Sequence, residues 1–443
     1  MIRLFLIIFA VNAFLVENYA RTIWDSPDNK DVLKLFQENG GKYVLRFPHQ
    51  FVDTLVVPYG CEIFFAGGSL SGPIVFNDTK LKGKVDLKGS SIRGTIRNKF
   101  FNALWLCAID GVTDDAPRIN EMIEVCGNVF FPKGNYRLLS AFNPEGKLPK
   151  ELHSAVDGHI AICKSHVSLE GEAGTVFITD RPLVTLCIFS QLNDIEHSIS
   201  KIKIENITFE VHNDGKTFYE FMHTIKMMGV NGITIKNCMF NDFWGDAICL
   251  SHFGDDPHTG ERSRNQGVDI ENNTILGGLH HNNRNGISVV NGKNVIIKGN
   301  IIKNTSRKDM PGGIDVEPNN SAYTIDNIKV VKNTLEGCRG NCGAIEVCMF
   351  NNGPGHNISI EDNYIRDCNR GIYVYLETNC TTDNFTIKNN YVAEDTPPYE
   401  FVGNGISKNW IVEGNTFEYP CCQKIPGKIR VYNLIQKNNK KKE

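Results

Sequence analysis

The second half of the chain repeats a short phrase in which apolar and polar residues alternate and an asparagine follows. It appears as ITIKNCMF, VDIENNTI, VIIKGNII, IKVVKNTL, ISIEDNYI, FTIKNNYV and WIVEGNTF. With the phrases aligned, the asparagines at the second turn position lie 25 to 33 residues apart, at Asn273, Asn300, Asn333, Asn363, Asn390 and Asn415. Spacing in this range is typical of a solenoid, in which each repeat forms one coil of a stack.

A second phrase in every coil is a short apolar strand preceded by a glycine. Its isoleucines align in one column, Ile248, Ile287, Ile314, Ile345 and Ile372. Period-two alternation predicts strands, and the Gly and Asn residues around each phrase predict turns. Because no helix-length amphipathic pattern lies between the phrases, we expect successive coils to stack through parallel strands. Asparagines stacked at a turn can hydrogen-bond along such a ladder and tolerate left-handed backbone angles.

The N-terminal third of the chain is less periodic. Residues 60–98 contain short alternating runs with glycine turns, which predict an earlier pair of coils. In the segment DGVTDDAPRINEMI, Asp114 or Asp115 is suited to cap a helix and Pro117 fits its first turn. We expect a short helix here that caps one end of the solenoid, because terminal repeats need a polar cover.

The N-terminus has the pattern of a signal peptide. Arg3 precedes an apolar run, residues 4–16, that is too short to span a bilayer, and cleavage after Ala20 is expected. The next cysteine is Cys61, so no lipid-anchor cysteine adjoins that position, and we expect a secreted or periplasmic product. The predicted organisation is a signal peptide (1–20), a lead-in (21–59), first coils with the helix (60–140), the main stack (141–420) and a tail (421–443).

Composition excludes some partners. The net charge of −3 gives no reason to expect nucleic acid or an anionic membrane, and no later segment is long and apolar enough for membrane insertion. The fourteen cysteines are scattered and read mostly as small buried residues, except that Cys338 and Cys342 bracket a predicted loop and could close a local disulfide. Residues 251–266 are polar and predict a projecting surface loop.

Four phrases of the chain resemble the pectate-lyase-like superfamily of right-handed parallel β-helix proteins. They are DGVTDDAPRINEMI followed by VFFPKGNYRL, and RNGISVVNGKNVIIKGNII and GGIDVEPNN in the stack. The resemblance covers roughly residues 60–420 and implies an all-β, right-handed parallel β-helix whose outer face offers a carbohydrate-binding groove. The superfamily includes polysaccharide lyases, polygalacturonase-like hydrolases, uronan epimerases and phage tailspike glycosidases, so it does not select one reaction. The paired-Asp and Gly-His-Gly signatures of polygalacturonases are absent from this sequence.

Three carboxylates are expected to converge on one outer face. With Ile314 and Val316 inside, Asp315 and Glu317 point outward about 6.6 Å apart, and Glu346 occupies the column of Asp315 one coil away, at about 4.8 Å. Separations of about 5 to 5.5 Å suit retaining glycosidases and about 6.5 to 9.5 Å suit inverting ones. Like charges this close raise at least one pKa and so supply an acid beside a base. The alternative is a solvated acidic face without function.

Other polar and aromatic residues are expected beside this face as substrate-binding groups. Tyr373 and Tyr375 occupy the matching columns of the next coil and can stack on sugar rings. At the strand entries of preceding coils, Arg284 can pair with the carboxylates or hold a substrate carboxylate. Further candidates there are Asp246, His280 and His281. The two histidines are adjacent and should point to opposite faces, so no metal site is predicted from them.

The leading hypothesis is a glycoside hydrolase that acts on a polysaccharide or oligosaccharide without a cofactor, using Asp315, Glu317 and Glu346. The first alternative is a polysaccharide lyase or uronan epimerase in which the same acids hold Ca²⁺ and a basic or tyrosine side chain removes the proton. Against it, the strand face carries no lysine and an acidic groove repels a polyanion. The second alternative is a non-catalytic glycan-binding solenoid.

Overall fold

The computed structural model describes residues 22–26, 32–143, 157–190, 199–253, 260–261, 263–418 and 429–441. The predicted signal peptide lies outside them. The chain divides into two compact units, one of residues 1–107 with 121–126 and one of residues 108–120 with 127–443. None of the helices in the described part of the chain combines the length and the apolar composition that a bilayer crossing needs.

The first unit is built from short parallel strands with two 3₁₀ turns, Val32–Lys34 and Ala103–Trp105. Lys42–Leu45 pairs in register with Glu62–Phe65, so parallel pairing begins within the predicted lead-in rather than at residue 60. The strands are Thr22–Trp24, Lys42–Leu45, Pro48–Gln50, Leu55–Val56, Glu62–Phe65, Ser69–Ser71, Pro73–Gly83, Ser91–Ile96 and Phe101–Asn102.

The second unit contains three parallel sheets, and each complete coil contributes one strand to each sheet. Sheet 1 consists of Asn128–Phe131, Val167–Gly171, Ile199–Glu205, Val230–Lys236, Asn265–Glu271, Gly292–Lys298, Ile325–Val331, Gly355–Glu361, Thr381–Lys388, Ile406–Glu413 and Arg430–Lys437. Sheet 2 consists of Asp110–Asp114, Gly134–Arg137, Thr175–Thr179, Thr208–Val211, Met239–Asn241, Thr274–Leu276, Ile301–Lys303, Thr334–Glu336, Tyr364–Arg366, Tyr391–Val392, Thr416–Phe417 and Lys440–Lys441.

Sheet 3 carries the glycine-preceded strands. Its members are Gly158–Ile162, Val184–Phe189, Ile225–Met228, Ile248–Leu250, Ile287–Val289, Gly312–Val316, Gly343–Met349, Ile372–Leu376 and Tyr399–Gly403. Ile287 stands opposite Ile314, and Ile314 stands opposite Ile345, with all three side chains fully buried. The isoleucine column predicted from the sequence is therefore confirmed, and its side chains lie on the face of sheet 3 that points into the core.

The asparagine column forms a continuous buried ladder. Asn273 donates from Nδ2 to Oδ1 of Asn300 at 3.0 Å, and its backbone N–H reaches the same oxygen at 2.9 Å. The same pair of bonds repeats from coil to coil, ending on Asn439. The residue just before each asparagine turns the chain with a left-handed backbone, as Lys332 does at φ 57°. Repetition of one turn explains the spacing seen in the sequence.

The predicted short helix is present as Ala116–Cys126. Asp114 Oδ1 accepts the N–H of Ala116 at 3.2 Å, and the carbonyl of Asp115 accepts the N–H of Ile119 at 2.9 Å. Gly260 and Glu261 are also helical, but strands dominate the described residues, and the all-β fold class is confirmed.

Two predicted boundaries shift. The tail continues the stack, because Arg430–Lys437 pairs with Ile406–Glu413 in parallel register. The predicted loop 251–266 ends before Asn265, where strand Asn265–Glu271 begins, and its residues 254–259 and 262 lie outside the described part.

Candidate functional site

Asp315, Glu317 and Glu346 form what is here called the carboxyl cluster. Asp315 stands opposite Glu346 on neighbouring strands of sheet 3, in the register expected from the isoleucine column. One oxygen of each carboxyl group lies within 4.8 Å of one oxygen of the others. The three acids that the sequence predicts on one face therefore lie close enough to act on one ligand atom or to bind one cation.

The cluster is not the solvated face that the strand pattern suggested. Asp315 is 0 % exposed and Glu346 is 1 % exposed, and only Glu317 is half-buried. The alternative of a solvated acidic face therefore does not hold for Asp315 and Glu346. The reason is local: side chains from the turn before strand Ile287–Val289, above all Asn285, pack against Asp315.

Asn285 connects several parts of this site and is fully buried. Its Nδ2 donates to Asp315 Oδ2 at 2.9 Å and to Ser288 Oγ at 2.9 Å. Its Oδ1 accepts the N–H of Gly312 at 2.9 Å, which ties the turn to the strand that carries Asp315. Its own backbone N–H donates to Asp246 Oδ1 at 2.9 Å. Asn285 thus fixes the positions of two carboxylates, Asp315 through its side chain and Asp246 through its backbone.

Arg284 lies between the same two carboxylates. Its guanidinium is 3.3 Å from Asp246 Oδ2 and 3.6 Å from Asp315 Oδ2, and Glu220 approaches its Nε at 3.9 Å. Burial opposes the charge of Arg284, but Asp246 and Asp315 outweigh it and raise its pKa. In this structure the guanidinium of Arg284 therefore interacts with carboxylates of the protein itself.

Asp246 is the ionised member of the site. Burial raises its pKa, but Arg284 and His223 outweigh burial and lower the pKa to about 2. His223 Nδ1 lies 3.2 Å from Asp246 Oδ2, and burial lowers the pKa of His223. The sequence did not single out His223, because its strand, Ile225–Met228, lacks the preceding glycine that marked the column. In the sequence, Asn285 stands out only as the residue before the glycine that precedes its strand.

The carboxyl cluster itself holds protons tightly. Burial, followed by the charge of Asp315, raises the pKa of Glu317 to about 9. Burial, followed by Glu346, raises the pKa of Asp315 well above the usual range, and burial, followed by Cys342, does the same for Glu346. In the described part of the chain, Asp315 Oδ1 and Glu346 Oε2 have no hydrogen-bond partner. The site can therefore donate and accept protons, or supply oxygen ligands to a hard cation.

Cysteine thiols border the cluster. Cys342 and Cys348 each bring a sulfur within 4.8 Å of a Glu346 oxygen, and His223, Asp246 and Cys249 form a similar group. The local disulfide expected between Cys338 and Cys342 is not formed, since both are free thiols. The thiol of Cys338 instead contacts that of Cys368, one coil on.

The two tyrosines lie in the expected columns. Tyr373 stands opposite Glu346 and Tyr375 opposite Cys348, and both are half-buried. The guanidinium of Arg370 lies 5.3 Å above the Tyr373 ring, and Phe350 packs on Tyr375 with ring centroids 5.2 Å apart. Burial raises the pKa of Tyr373. Both rings thus already have a partner on one side.

The side chains of the adjacent His280 and His281 lie in different surroundings. His280 Nε2 lies 3.0 Å from Asp242 Oδ2, whereas His281 lines a cavity of about 350 Å³, here called the basic cavity. The other lining residues are Asn282, Arg307, Lys308, Asp309 and Arg339. The three cations of this cavity were not identified from the sequence, because they lie in turns without a repeated pattern.

Comparison with known proteins agrees with this architecture. A family model described as right handed beta helix region matches residues 223–417. This match and the three parallel sheets confirm the predicted right-handed parallel β-helix fold. Comparison with curated protein sequences gave no match.

The solved structures that match this chain have low sequence identity to it. The A-module of the mannuronan C-5 epimerase AlgE4 from Azotobacter vinelandii is 14 % identical, with a TM-score of 0.46, over 78 % of this chain and 97 % of that chain. The surface protein and adhesin PfbA from Streptococcus pneumoniae is 15 % identical, with a TM-score of 0.38, over 74 % of this chain and 94 % of that one. The catalytic unit of the GH87 alpha-1,3-glucanase from Streptomyces thermodiastaticus is 14 % identical, with a TM-score of 0.37, over 92 % of this chain and 65 % of that chain. These values decide neither substrate nor activity.

Proposed function

We propose that the chain is an exported, carbohydrate-active β-helix protein, and that it hydrolyses glycosidic bonds with retention of configuration. The observation that carries the proposal is the approach of Asp315, Glu317 and Glu346 to within 4.8 Å of one another. Carboxyl groups about 5 to 5.5 Å apart suit a double displacement, whereas inversion needs about 6.5 to 9.5 Å for an intervening water. The short separation therefore supports retention.

Glu317 is assigned as the general acid. It is the half-buried member of the carboxyl cluster, so a substrate reaches the cluster on its side. With a pKa of about 9 it holds its proton at neutral pH and can transfer it to the glycosidic oxygen as the bond breaks. The resulting carboxylate then takes a proton from the water that releases the product.

Asp315 is assigned as the nucleophile. Burial and Glu346 raise the pKa of Asp315, so attack requires the form of the cluster in which Asp315 has lost its proton to solvent. Arg284 at 3.6 Å and the amide of Asn285 at 2.9 Å favour that charged form of Asp315 over the charged form of Glu346. Oδ2 accepts the amide, and Oδ1 is buried without a partner in the described residues, so Oδ1 is the oxygen assigned to the anomeric carbon once a bound substrate displaces the groups that cover it. Glu346 holds a proton beside it and limits the negative charge of the cluster.

The test is a screen of the purified protein against neutral and uronate polysaccharides, with and without chelator. Reducing ends report hydrolysis, and ultraviolet absorbance reports unsaturated lyase products. On a substrate found in this way, the anomer formed first should have the configuration of the bond cleaved. Glu317→Gln should abolish cleavage, while Glu336→Gln, which alters a surface ion pair with Lys303, should not. An inverted first product would contradict the assigned roles.

One observation favours a second candidate, a Ca²⁺-assisted lyase or epimerase. The partnerless oxygens of Asp315 and Glu346 are what a hard cation takes as ligands, and the donor set of three carboxyl groups fits Ca²⁺. If Ca²⁺ bound there, Asp315, Glu317 and Glu346 would hold it, and it would neutralise a substrate carboxylate. Loss of activity in chelator, with unsaturated products or with epimerised product, would select this candidate. Glycan binding without any turnover would leave a non-catalytic solenoid.

A further inference from the structure

Residues from three successive coils line the basic cavity. His281 and Asn282 belong to the turn before strand Ile287–Val289, and Arg307, Lys308 and Asp309 to the turn before Gly312–Val316. Arg339 belongs to the turn before Gly343–Met349. The cavity therefore lies at the entry side of the three strands that surround and carry the carboxyl cluster.

The cavity is positively charged. Its lining holds three cations, Arg307, Lys308 and Arg339, against one carboxylate, Asp309, and a second carboxylate, Asp367, binds Arg339, so one positive charge is left without a counter-charge. His281 adds no charge at neutral pH, because burial, followed by Arg339, lowers its pKa. A partly enclosed pocket with one sign of charge focuses the electrostatic field and concentrates oppositely charged groups.

The cationic groups are held in place. Arg307 binds Asp309 through two nitrogens at 2.9 Å each, and its guanidinium stacks 4.3 Å above the Phe218 ring. Arg339 binds the side chain of Asp367 at 2.7 Å and its carbonyl at 2.8 Å. Side chains that are already ordered lose little entropy when they receive a ligand.

Two polar groups of the wall remain available. Lys308 is exposed and takes part in none of the ion pairs seen in the described residues, and His281 Nδ1 is buried there without a hydrogen-bond partner. An ammonium and an imidazole nitrogen can both address the oxygens of an anionic group. The cavity volume of about 350 Å³ also exceeds what a single small oxyanion fills.

The turn that carries Arg284 connects the wall of the cavity to the carboxyl cluster. The N–H of Arg307 donates to the carbonyl of Asn283 at 3.0 Å, and the next residue, Arg284, reaches Asp315. Glu317 and Glu346 hold protons, and Arg284 faces the charges of Asp246 and Asp315, so the repulsion of a polyanion that the sequence suggested is reduced at this face.

We propose that the basic cavity binds an oxyanion substituent of the glycan, a sulfate ester or a carboxylate, and so selects anionic glycans for the neighbouring site. This inference rests on the proposed function for its biological role, but binding at the cavity can be measured without any turnover. It assigns Lys308, Arg339 and His281 as binding residues outside the carboxyl cluster.

The experiment compares three polymers with one backbone, namely dextran, carboxymethyl dextran and dextran sulfate, by calorimetric titration of the full chain at two salt concentrations. Dextran sulfate or carboxymethyl dextran should bind, and dextran should not. The better of the two anionic polymers identifies the substituent. Binding should weaken at the higher salt concentration.

Variants locate the binding. Replacing Lys308 and Arg339 together by glutamine should raise the Kd of the anionic polymer about 10- to 100-fold, as expected for lost bonds to charged groups. Lys329→Gln removes an exposed lysine from sheet 1 in the same coil and should leave the Kd unchanged. Equal affinity for all three polymers, or equal loss in the Lys329 variant, would overturn the inference.

The outcomes separate this inference from the proposed function. Hydrolysis of neutral glycans with no binding of dextran sulfate or carboxymethyl dextran would overturn the cavity and leave the hydrolase. Specific binding of an anionic polymer, lost in the double variant, would support the cavity even if no glycan were cleaved.

Discussion

Asn285 donates from its side-chain amide to Asp315 Oδ2 at 2.9 Å, and neither side chain reaches solvent. The oxygen of the same amide accepts the backbone N–H of Gly312 at 2.9 Å, three residues before Asp315 on the same strand. An amide offers a donor and an acceptor without charge, so it can hold a carboxyl group in place whether or not that group is protonated. Asn285 is therefore a positioning residue for the carboxyl cluster.

Replacing Asn285 by alanine should lower the free energy of unfolding by about 2 to 3 kcal/mol, because it leaves buried groups of Asp315 and Gly312 without partners. Chemical denaturation measures the change. Asn231→Ala, on the exposed side of a sheet 1 strand, is the control and should change stability little. If both variants lost the same stability, the hydrogen bonds of Asn285 would not matter to folding.

Amide variants of the acids should separate stability from activity. Asp315→Asn and Glu317→Gln keep the shape of groups that the folded protein already holds partly protonated, so melting temperatures should hold or rise slightly. Hydrolysis should fall about 100-fold or more in each, the range expected when an acid, base or nucleophile is removed. Full activity in both, together with Glu346→Gln, would show that the cluster is structural and direct attention to the 251–266 loop.

Stability should decline in alkali because of Glu317. Its pKa is about 9 in the folded chain against an ordinary value of 4.5, so folding favours the protonated form. The stability gained from that proton is complete below about pH 4.5 and is lost as the pH rises through 9. Denaturation at pH 5, 7 and 9 measures it. Glu317→Gln should show a flatter dependence than the parent protein, and an unchanged slope would contradict the raised pKa.

Asp246 should have the opposite effect on the pH dependence of stability, so that stability declines in acid. Its pKa of about 2 lies below the ordinary 3.8, so its contribution is present above pH 3.8 and is lost as the pH falls through 2. Asp246→Asn removes the partner of the buried Arg284 and should destabilise the fold by about 3 to 5 kcal/mol. The matched control is Asp326→Asn, which breaks the exposed pair with Lys293 and should cost less than about 1 kcal/mol. Similar losses in the two variants would refute the buried pairing.

The sequence was most informative where one arrangement repeats. The asparagine ladder and the isoleucine column both follow from a turn and a strand copied in each coil, so the register that pairs Asp315 with Glu346 could be predicted without a structure. The cysteines were less predictable. Cys338 contacts Cys368 through coil stacking, a relation that sequence proximity to Cys342 obscured.

By itself, the sequence determined the solenoid, its parallel strands and the meeting of three carboxyl groups, because side chains alternate along a strand and identical coils stack in register. Only the tertiary structure decided that Asp315 and Glu346 are buried, and that Arg307, Lys308 and Arg339 enclose a cavity. Those properties depend on turns of unequal length, whose side chains fold back over the sheet. Their contacts join residues about 20 to 40 positions apart, as between Arg284 and Asp246, and no periodic pattern encodes them.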